Sequence, residues 1–421
     1  MAERGWASVT AIGLAVLSAE GAAYATWRLV DGPDKLAVYQ QEQASVPGYR
    51  YVDSLGLVMP EPGREFVWQQ FEFVERCRTS AVPGLEAGLF DDGLDAGRPV
   101  IALALGDSMT RGFGSTDCLR LGWVERLEAA FPWLDVVNLS VLAAGQHQAF
   151  LVYDRLAPRL PHDWVLISVF SGNDFLDDTE PFDWNVALGA LPAGEDPTAA
   201  LRHAKAAVLY RPSDEWLMAR PVRSYAAWLL LRIVEKVAMR PLLPRWVREG
   251  RAIEDRLAAG AADPRIPEAL RRLGAAQRAS ARTVQAGNMW FTLYDYQGRP
   301  DDAGRLARHA AGLINAFGER LRAAGVRAAV VLQPSKEEIY LPAGLSASLG
   351  LALDAPLDAL RAALATGLPV CDLRGPLRAQ AGAGGPPLYY ARDGHYTPAG
   401  YEAAAEAIGA CVERLMGRGS R

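Results

Sequence analysis

Residues 100–108 read Val100-Ile101-Ala102-Leu103-Ala104-Leu105-Gly106-Asp107-Ser108, and this stretch decides the fold. An apolar run without polar alternation marks a strand covered on both faces, as strands of a parallel sheet are. The run stops at Gly-Asp-Ser, which leaves a serine hydroxyl at the strand's carboxyl end. In open α/β sheets that end faces the ligand crevice. Gly97-Arg98-Pro99 punctuates the chain just upstream.

The rhythm repeats downstream. A helix predicted over 123–131 leads to a strand over 136–139, which closes on Leu142-Ala143-Ala144-Gly145. A helix over 146–156 leads to a strand over 164–170, which ends at Ser171-Gly172-Asn173-Asp174. After residue 304 come a helix over 307–324, a strand over 328–332, a helix over 357–365 and a strand over 369–373. Thr397-Pro398 supplies the N-cap and first turn of a last helix over 398–416. Strands alternating with helices predict an α/β chain with a mostly parallel sheet, its core domain spanning 99–421. Between 175 and 304 the alternation gives way to helical runs (199–209, 225–239 and 268–285). This insertion is expected either to shape a substrate cleft or lid or to be a structural addition. Residues 31–98, rich in Pro, Gly and aromatics, alternate weakly and are expected to form an irregular extension.

Bulk properties set limits. The chain has 421 residues, half of them hydrophobic, enough for one large domain with insertions or for two domains. Its net charge is −5, and the arginines between 240 and 282 are interleaved with Glu and Asp, as on a solvated helical face. Neither feature suggests a nucleic-acid partner. Four cysteines, Cys77, Cys118, Cys371 and Cys411, form no CxxC pair and lie far from the histidines in sequence, so no metal site is expected. An even count permits two disulfides. Cys371 at the end of a strand and Cys411 in the last helix can meet, the other reading being free buried thiols. At the N-terminus an uncharged stretch runs from Gly5 to Ala19 and is interrupted at Glu20. It is short for a span of about 20 residues. Residues 1–30 read as a membrane anchor, as a signal cleaved near Ala23-Tyr24-Ala25, or as a buried helix. The first two imply an extracytoplasmic protein, and the anchor reading adds membrane attachment through residues 5–30.

The chemistry rests on four short segments. A serine hydroxyl is a weak nucleophile until a base takes its proton. Among His147, His162, His203, His309 and His395, the last has an acidic residue placed to orient it, because Asp393 lies two residues before. In extended chain, positions i and i+2 project to one side, so the carboxylate can hold the imidazole tautomer. Backbone N–H groups of Ser108 and Gly145 and the side-chain amide of Asn173 can serve a tetrahedral intermediate's oxyanion. Each segment alone is a turn or a helix start. Together, in this order and at these places, they supply the residue types that acyl transfer requires, with no cofactor.

Gly106-Asp107-Ser108-Met109-Thr110-Arg111-Gly112, Asn138 to Gly145, Gly172-Asn173-Asp174 and Asp393-Gly394-His395 resemble the four blocks of the SGNH or GDSL-type hydrolases. The resemblance covers about 99–174 and 325–416. It implies a flavodoxin-like three-layer α/β/α sandwich and metal-free ester hydrolysis, with Gly145 as the oxyanion glycine. Many members of that family set the Asp three residues before the His, where this chain has Arg392; a shorter spacing also occurs. Pro334-Ser335-Lys336-Glu337-Glu338-Ile339-Tyr340 and Leu388 to Thr397 look like segments of the alginate-acetylation (AlgX/AlgJ-like) branch, which moves acetyl groups onto exopolysaccharides. Lys336 and Tyr340 can line the cleft or belong to a solvated strand end.

Three functions follow as expectations: a serine esterase acting on acyl, above all acetyl, esters of a carbohydrate or lipid; an O-acetyltransferase acting on an extracytoplasmic polysaccharide; and a non-catalytic binding protein on the same fold. A phosphate loop is disfavoured because Gly106 to Gly114 lacks the Gly-Lys-Ser/Thr ending. A dinucleotide fold is disfavoured because Gly-x-Gly-x-x-Gly is absent there. Trp184, Tyr210, Trp216, Tyr225, Trp228 and Trp290 can stack on sugar rings or pack in a core.

Overall fold

Five of the apolar runs meet in one parallel sheet in the computed structural model. It describes residues 15, 17–23, 25, 43–44, 49–69, 72–81, 87–91, 97–180, 195–200, 203–204, 226, 245–260 and 265–415. The strands are β1 (Val100–Leu105), β2 (Leu134–Asn138), β3 (Trp164–Phe170), β4 (Arg327–Gln333) and β5 (Val370–Asp372). They lie in the order β2-β1-β3-β4-β5, every neighbouring pair parallel. This 2-1-3-4-5 order is that of a flavodoxin-like doubly wound sheet. The chain winds one way from β1 to β2 and the other way from β3 onward. The crevice of such a sheet opens at that reversal, between the carboxyl ends of β1 and β3.

Side chains along β1 alternate between two cores. Ile101, Leu103 and Leu105 face α3 (Gln146–Leu156), α6 (Pro300–Ala323) and α8 (Ala355–Ala363), where Phe150, Ile314, Phe317 and Leu360 are buried. Ala102 and Ala104 face α2 (Trp123–Ala130), α9 (Arg374–Gly382) and α10 (Pro398–Leu415), where Trp123, Leu127, Leu377 and Ile408 are buried. Small residues line one face and branched ones the other. A one-residue slip would therefore drive Leu side chains into space shaped for Ala, the overpacking that costs typically 1–3 kcal/mol per site.

Two disulfides fasten the periphery. Cys371 of β5 pairs with Cys411 of α10, as the sequence allows, and Cys77 pairs with Cys118.

Residues 31–98 depart from the irregular extension expected of them. Their described part holds short antiparallel pairs, Tyr49–Val52 with Leu57–Pro60, Glu65–Gln69 with Val74–Arg78, and Ser80–Ala81 with Gly88–Leu89. Strands of two to five residues broken by Gly and Pro are too short for alternation to stand out. A second difference lies in the insertion. The helix expected over 268–285 is α5 (Glu268–Ala279), and a hairpin follows, Arg282–Ala286 with Met289–Leu293. Thr283 and Val284 favour strand, and Gly287 at φ 62° makes the turn.

The chain divides into two units, 44–198 with 257–421, which holds the sheet, and 1–43 with 199–256. In the second unit, the described residues between 15 and 25 are helical, and the Glu20 carboxylate accepts the Ala226 N–H at 3.1 Å. No helix among the described residues is long and apolar enough to cross a membrane. Most of the 1–30 segment and most of the helical runs expected over 199–209 and 225–239 lie outside the described residues, as do Trp184, Tyr210, Trp216, Tyr225 and Trp228.

Candidate active site

The turn that carries Ser108 is built by close approach. A Cβ at Gly106 would collide with Thr110 Oγ1 and lie 2.9 Å from Ser168 Cβ on β3, so only glycine lets the chain turn there. Asp107 caps the single-turn helix α1 (Ser108–Arg111), its carboxylate accepting the Met109 N–H at 3.0 Å. Ser108 opens that helix at the crevice. Asn138, at the end of β2, donates its side-chain amide to the Thr110 carbonyl at 3.1 Å and steadies the turn.

His395 arrives from the far end of the chain, on the loop between α9 and α10. Its Nε2 lies 2.8 Å from Ser108 Oγ, and its Nδ1 lies 2.6 Å from Asp393 Oδ1. Burial alone would push the imidazole toward its neutral form. The Asp393 charge and hydrogen bond, with smaller help from Asp107 and Glu75, outweigh it and hold the His395 pKa above 6.5. Burial likewise works against the Asp393 carboxylate, but the charge of His395 and its hydrogen bonds, with help from Lys336, hold its pKa below the ordinary range. With Asp393 ionised, Nδ1 keeps its proton and Nε2 offers its lone pair to the serine. The Phe113 ring packs edge-on to the imidazole at 4.7 Å and closes one side.

The other expected donors are present but occupied. The Gly145 N–H donates to Gln148 Oε1 at 2.7 Å. A Cβ on Gly145 would lie 2.5 Å from both Asp178 N and Asp178 Oδ1, so the close approach requires glycine. The Asn173 amide donates to Asp177 Oδ2. Around these donors lie the buried carboxyls of Asp107 and Asp174. Burial raises Asp107 to about 6 and Asp174 well above its usual range. Of the other histidines, His147 is buried against Asp178, and His162 bonds the Tyr153 hydroxyl at 2.8 Å.

Lys336 and Tyr340 lie against the loop that carries His395. Both sit on α7 (Lys336–Tyr340), where the Lys336 side chain is buried and Tyr340 Oη accepts the Leu388 N–H at 3.0 Å. Three residues that the sequence reading does not single out complete the surroundings. Arg111 and Glu75, both fully buried, pair at 2.6 Å, and Glu75 also accepts the Gly114 N–H at 2.9 Å. Glu72 bonds the backbone just before His395. Both glutamates come from the N-terminal extension, more than 30 residues from their partners, and no local pattern marks them.

Residues 284–420 match the family model described as the SGNH hydrolase-like domain of acetyltransferase AlgX. The match includes Asp393 and His395 but not Ser108, Gly145 or Asn173. No curated protein matches the chain. Three solved structures are similar to it. A protein described as lipolytic and of the G-D-S-L family, from Desulfitobacterium hafniense DCB-2, shares 12% identity over 74% of this chain and 99% of its own, with a TM-score of 0.31. An extracellular lipase from Streptomyces rimosus shares 14% over 74% and 99%, at 0.32. A family two carbohydrate esterase from Clostridium thermocellum shares 10% over 79% and 70%, at 0.32. Overlaps this low carry no argument about fold or activity. Over 284–420 the chain is thus similar to an SGNH hydrolase-like domain, and its four sequence blocks resemble those of the same kind of hydrolase.

Proposed function

We propose that this chain, with its SGNH hydrolase-like domain, is a serine esterase that cleaves acyl esters, above all acetyl esters, of a carbohydrate or lipid through an acyl-enzyme on Ser108. The observation that carries the reading is the unbroken hydrogen-bond chain Asp393–His395–Ser108. His395 Nε2 takes the Ser108 proton as Oγ attacks the ester carbonyl, and Asp393 stabilises the imidazolium that forms. Collapse of the tetrahedral intermediate breaks the bond to the alcohol, which takes the proton from His395 and leaves. A water then gives a proton to His395, attacks the acyl carbon, and releases the acid and the Ser108 hydroxyl.

The oxyanion takes the Ser108 N–H, which has no intrahelical acceptor in the first turn of α1. It also takes the donors of Gly145 and Asn173, which exchange Gln148 and Asp177 for the developing charge. A donor of this kind is worth roughly 3–4 kcal/mol in other serine hydrolases.

A second reading differs only in the acceptor. If a sugar hydroxyl resolves the acyl-enzyme in place of water, the chain is an O-acetyltransferase acting on an extracytoplasmic polysaccharide. The family match over 284–420 favours it. One assay separates the two: p-nitrophenyl acetate turnover with and without an oligosaccharide acceptor. Turnover lost in Ser108→Ala and indifferent to acceptor supports the esterase, and acetylated sugar supports the transferase. Wild type as inert as Ser108→Ala, with longer acyl chains also tried, sinks both and leaves a non-catalytic binding protein.

We also place the enzyme outside the cytoplasm, attached to a membrane through residues 5–30. Two disulfides support the oxidising compartment. A C-terminal reporter active only in the cytoplasm would, if it lights up, overturn that placement.

A further inference from the structure

The loop that delivers Asp393 and His395 is held from two sides by opposite charges. Lys336 Nζ donates to the carbonyl oxygens of Tyr390 at 3.3 Å, Ala391 at 3.2 Å, Arg392 at 3.3 Å and Asp393 at 2.9 Å. The Glu72 carboxylate accepts the N–H groups of Ala391 at 2.9 Å, Arg392 at 2.7 Å and Asp393 at 2.7 Å. Successive peptide planes thus point their carbonyls at one cation and their N–H groups at one anion. Four converging carbonyls make a site for a cation, and three converging N–H groups make a nest for an anion. The run is too short for a helix to hold it by its own hydrogen bonds.

Both charges are fixed from behind. Lys336 is 1% exposed and stands two residues past Pro334, whose carbonyl accepts the Tyr389 hydroxyl at 2.5 Å. Its α7 is tied to the end of β3 through Glu338, which bonds both the Ser171 hydroxyl and, at 2.7 Å, the Ser335 N–H. Next to Glu72, the Phe73 ring stacks on Tyr390 at 4.8 Å. Asp393 is gripped at both its N–H and its carbonyl, and its side chain is what orients His395.

We propose that Lys336 and Glu72 are positioning residues that act as a cation–anion clamp, holding the peptide planes of residues 390–393 so that Asp393 and His395 stay in register with Ser108. The N-terminal extension is then part of the catalytic apparatus, because it supplies half of the clamp. The inference rests on the triad reading given above.

The test compares wild type, Lys336→Met and Glu72→Gln. Two readouts are used: the rate at which diisopropyl fluorophosphate phosphorylates Ser108, followed by mass spectrometry, and kcat and KM for p-nitrophenyl acetate. A misplacement of about 1 Å can cost on the order of 100-fold in rate. Lys336→Met is expected to show about that loss in the labelling rate constant and in kcat, with KM within about twofold. Glu72→Gln keeps one acceptor oxygen and is expected to lose about 10-fold. A merely structural role would lower the fraction of protein that labels, not the rate constant of the folded fraction. Folded variants that label as fast as wild type overturn the clamp. So does a loss confined to the labelled fraction, or a wild type that never labels at Ser108. A wild type that labels but hydrolyses no ester sinks the ester reading alone, and the labelling rates still decide the clamp.

Discussion

A single oxygen of Asp393 holds two groups of His395: Oδ1 lies 2.8 Å from the backbone N and 2.6 Å from ring Nδ1. The first contact closes an Asx-type turn across Gly394, and the second sets the ring. The turn explains how an Asp two residues before the His, where many SGNH-type hydrolases have three, still reaches the imidazole. The backbone bond draws the carboxylate back onto the ring.

Asp393→Asn is expected to keep the fold while lowering kcat about 10⁴-fold, the loss seen when the orienting carboxylate of a serine triad becomes an amide. Ser108→Ala should show no acyl-enzyme at all. Pre-steady-state burst kinetics with p-nitrophenyl acetate measure both; a full burst in Ser108→Ala would remove that residue from the chemistry.

The pH dependence follows from the sign of the His395 shift. The base must be neutral to accept the serine proton, and Asp393 raises its pKa above 6.5. Activity should therefore fall on the acid side, with the limb of kcat/KM above 6.5. Asp393→Asn removes the largest raising influence, so burial prevails over the remaining pull of Asp107 and Glu75, and the limb should move to lower pH. Labelling of Ser108 by diisopropyl fluorophosphate across pH follows both proteins. An unmoved limb would mean that a different group titrates.

Loss of one oxyanion donor should reduce kcat far more than it alters KM. Asn173→Ala is expected to cost about 10²–10³-fold in kcat. Gly145→Ala should do more, because the added Cβ meets Asp178 at 2.5 Å and must displace it. Its melting temperature should fall as well. Steady-state kinetics beside thermal melts separate the two effects, and unchanged kcat in Asn173→Ala would take that amide out of the hole.

Breaking the buried Arg111–Glu75 pair should destabilise strongly. Glu75→Gln or Arg111→Met alone removes one charge of a buried ion pair, a change worth about 3–5 kcal/mol. Replacing both at once should cost less than the sum of the single changes. Urea unfolding of the double-mutant cycle measures the coupling, and strict additivity would deny it.

Reducing the Cys371–Cys411 bridge should lower stability more than activity. Its ends lie 40 residues apart, which in the chain-entropy account corresponds to about 4 kcal/mol. Cys371→Ser with Cys411→Ser should melt markedly lower while folded protein keeps its kcat, because the bridge joins edge strand β5 to α10, away from Ser108. A proportionate loss of kcat would place the bridge in the catalytic machinery.

The sheet was legible because its strands are buried on both faces. A run such as Val100 to Leu105 admits few other structures, and the helices between the runs imply parallel pairing. Gly106-Asp107-Ser108 and Asp393-Gly394-His395 were legible because each carries its own local geometry, a strand-end turn and an Asx-type turn. The short strands of the extension were not, since two to five residues yield no usable period. The hairpin at 282–293 was obscured because helix-favouring residues run up to it and its turn depends on one glycine.

The sequence by itself determined the α/β class, the serine at the end of β1 and the histidine with its acidic neighbour, because each follows from residue type at short range. Only the tertiary structure decided that Ser108 and His395, 287 residues apart, meet at 2.8 Å. It alone showed that the Gly145 and Asn173 amides bond Gln148 and Asp177, and that Glu72 and Lys336 bond the loop carrying His395. Those contacts join charges and peptide groups far apart in the chain. Such electrostatic pairing leaves no periodic trace in sequence and exists only once the sheet has brought the loops together.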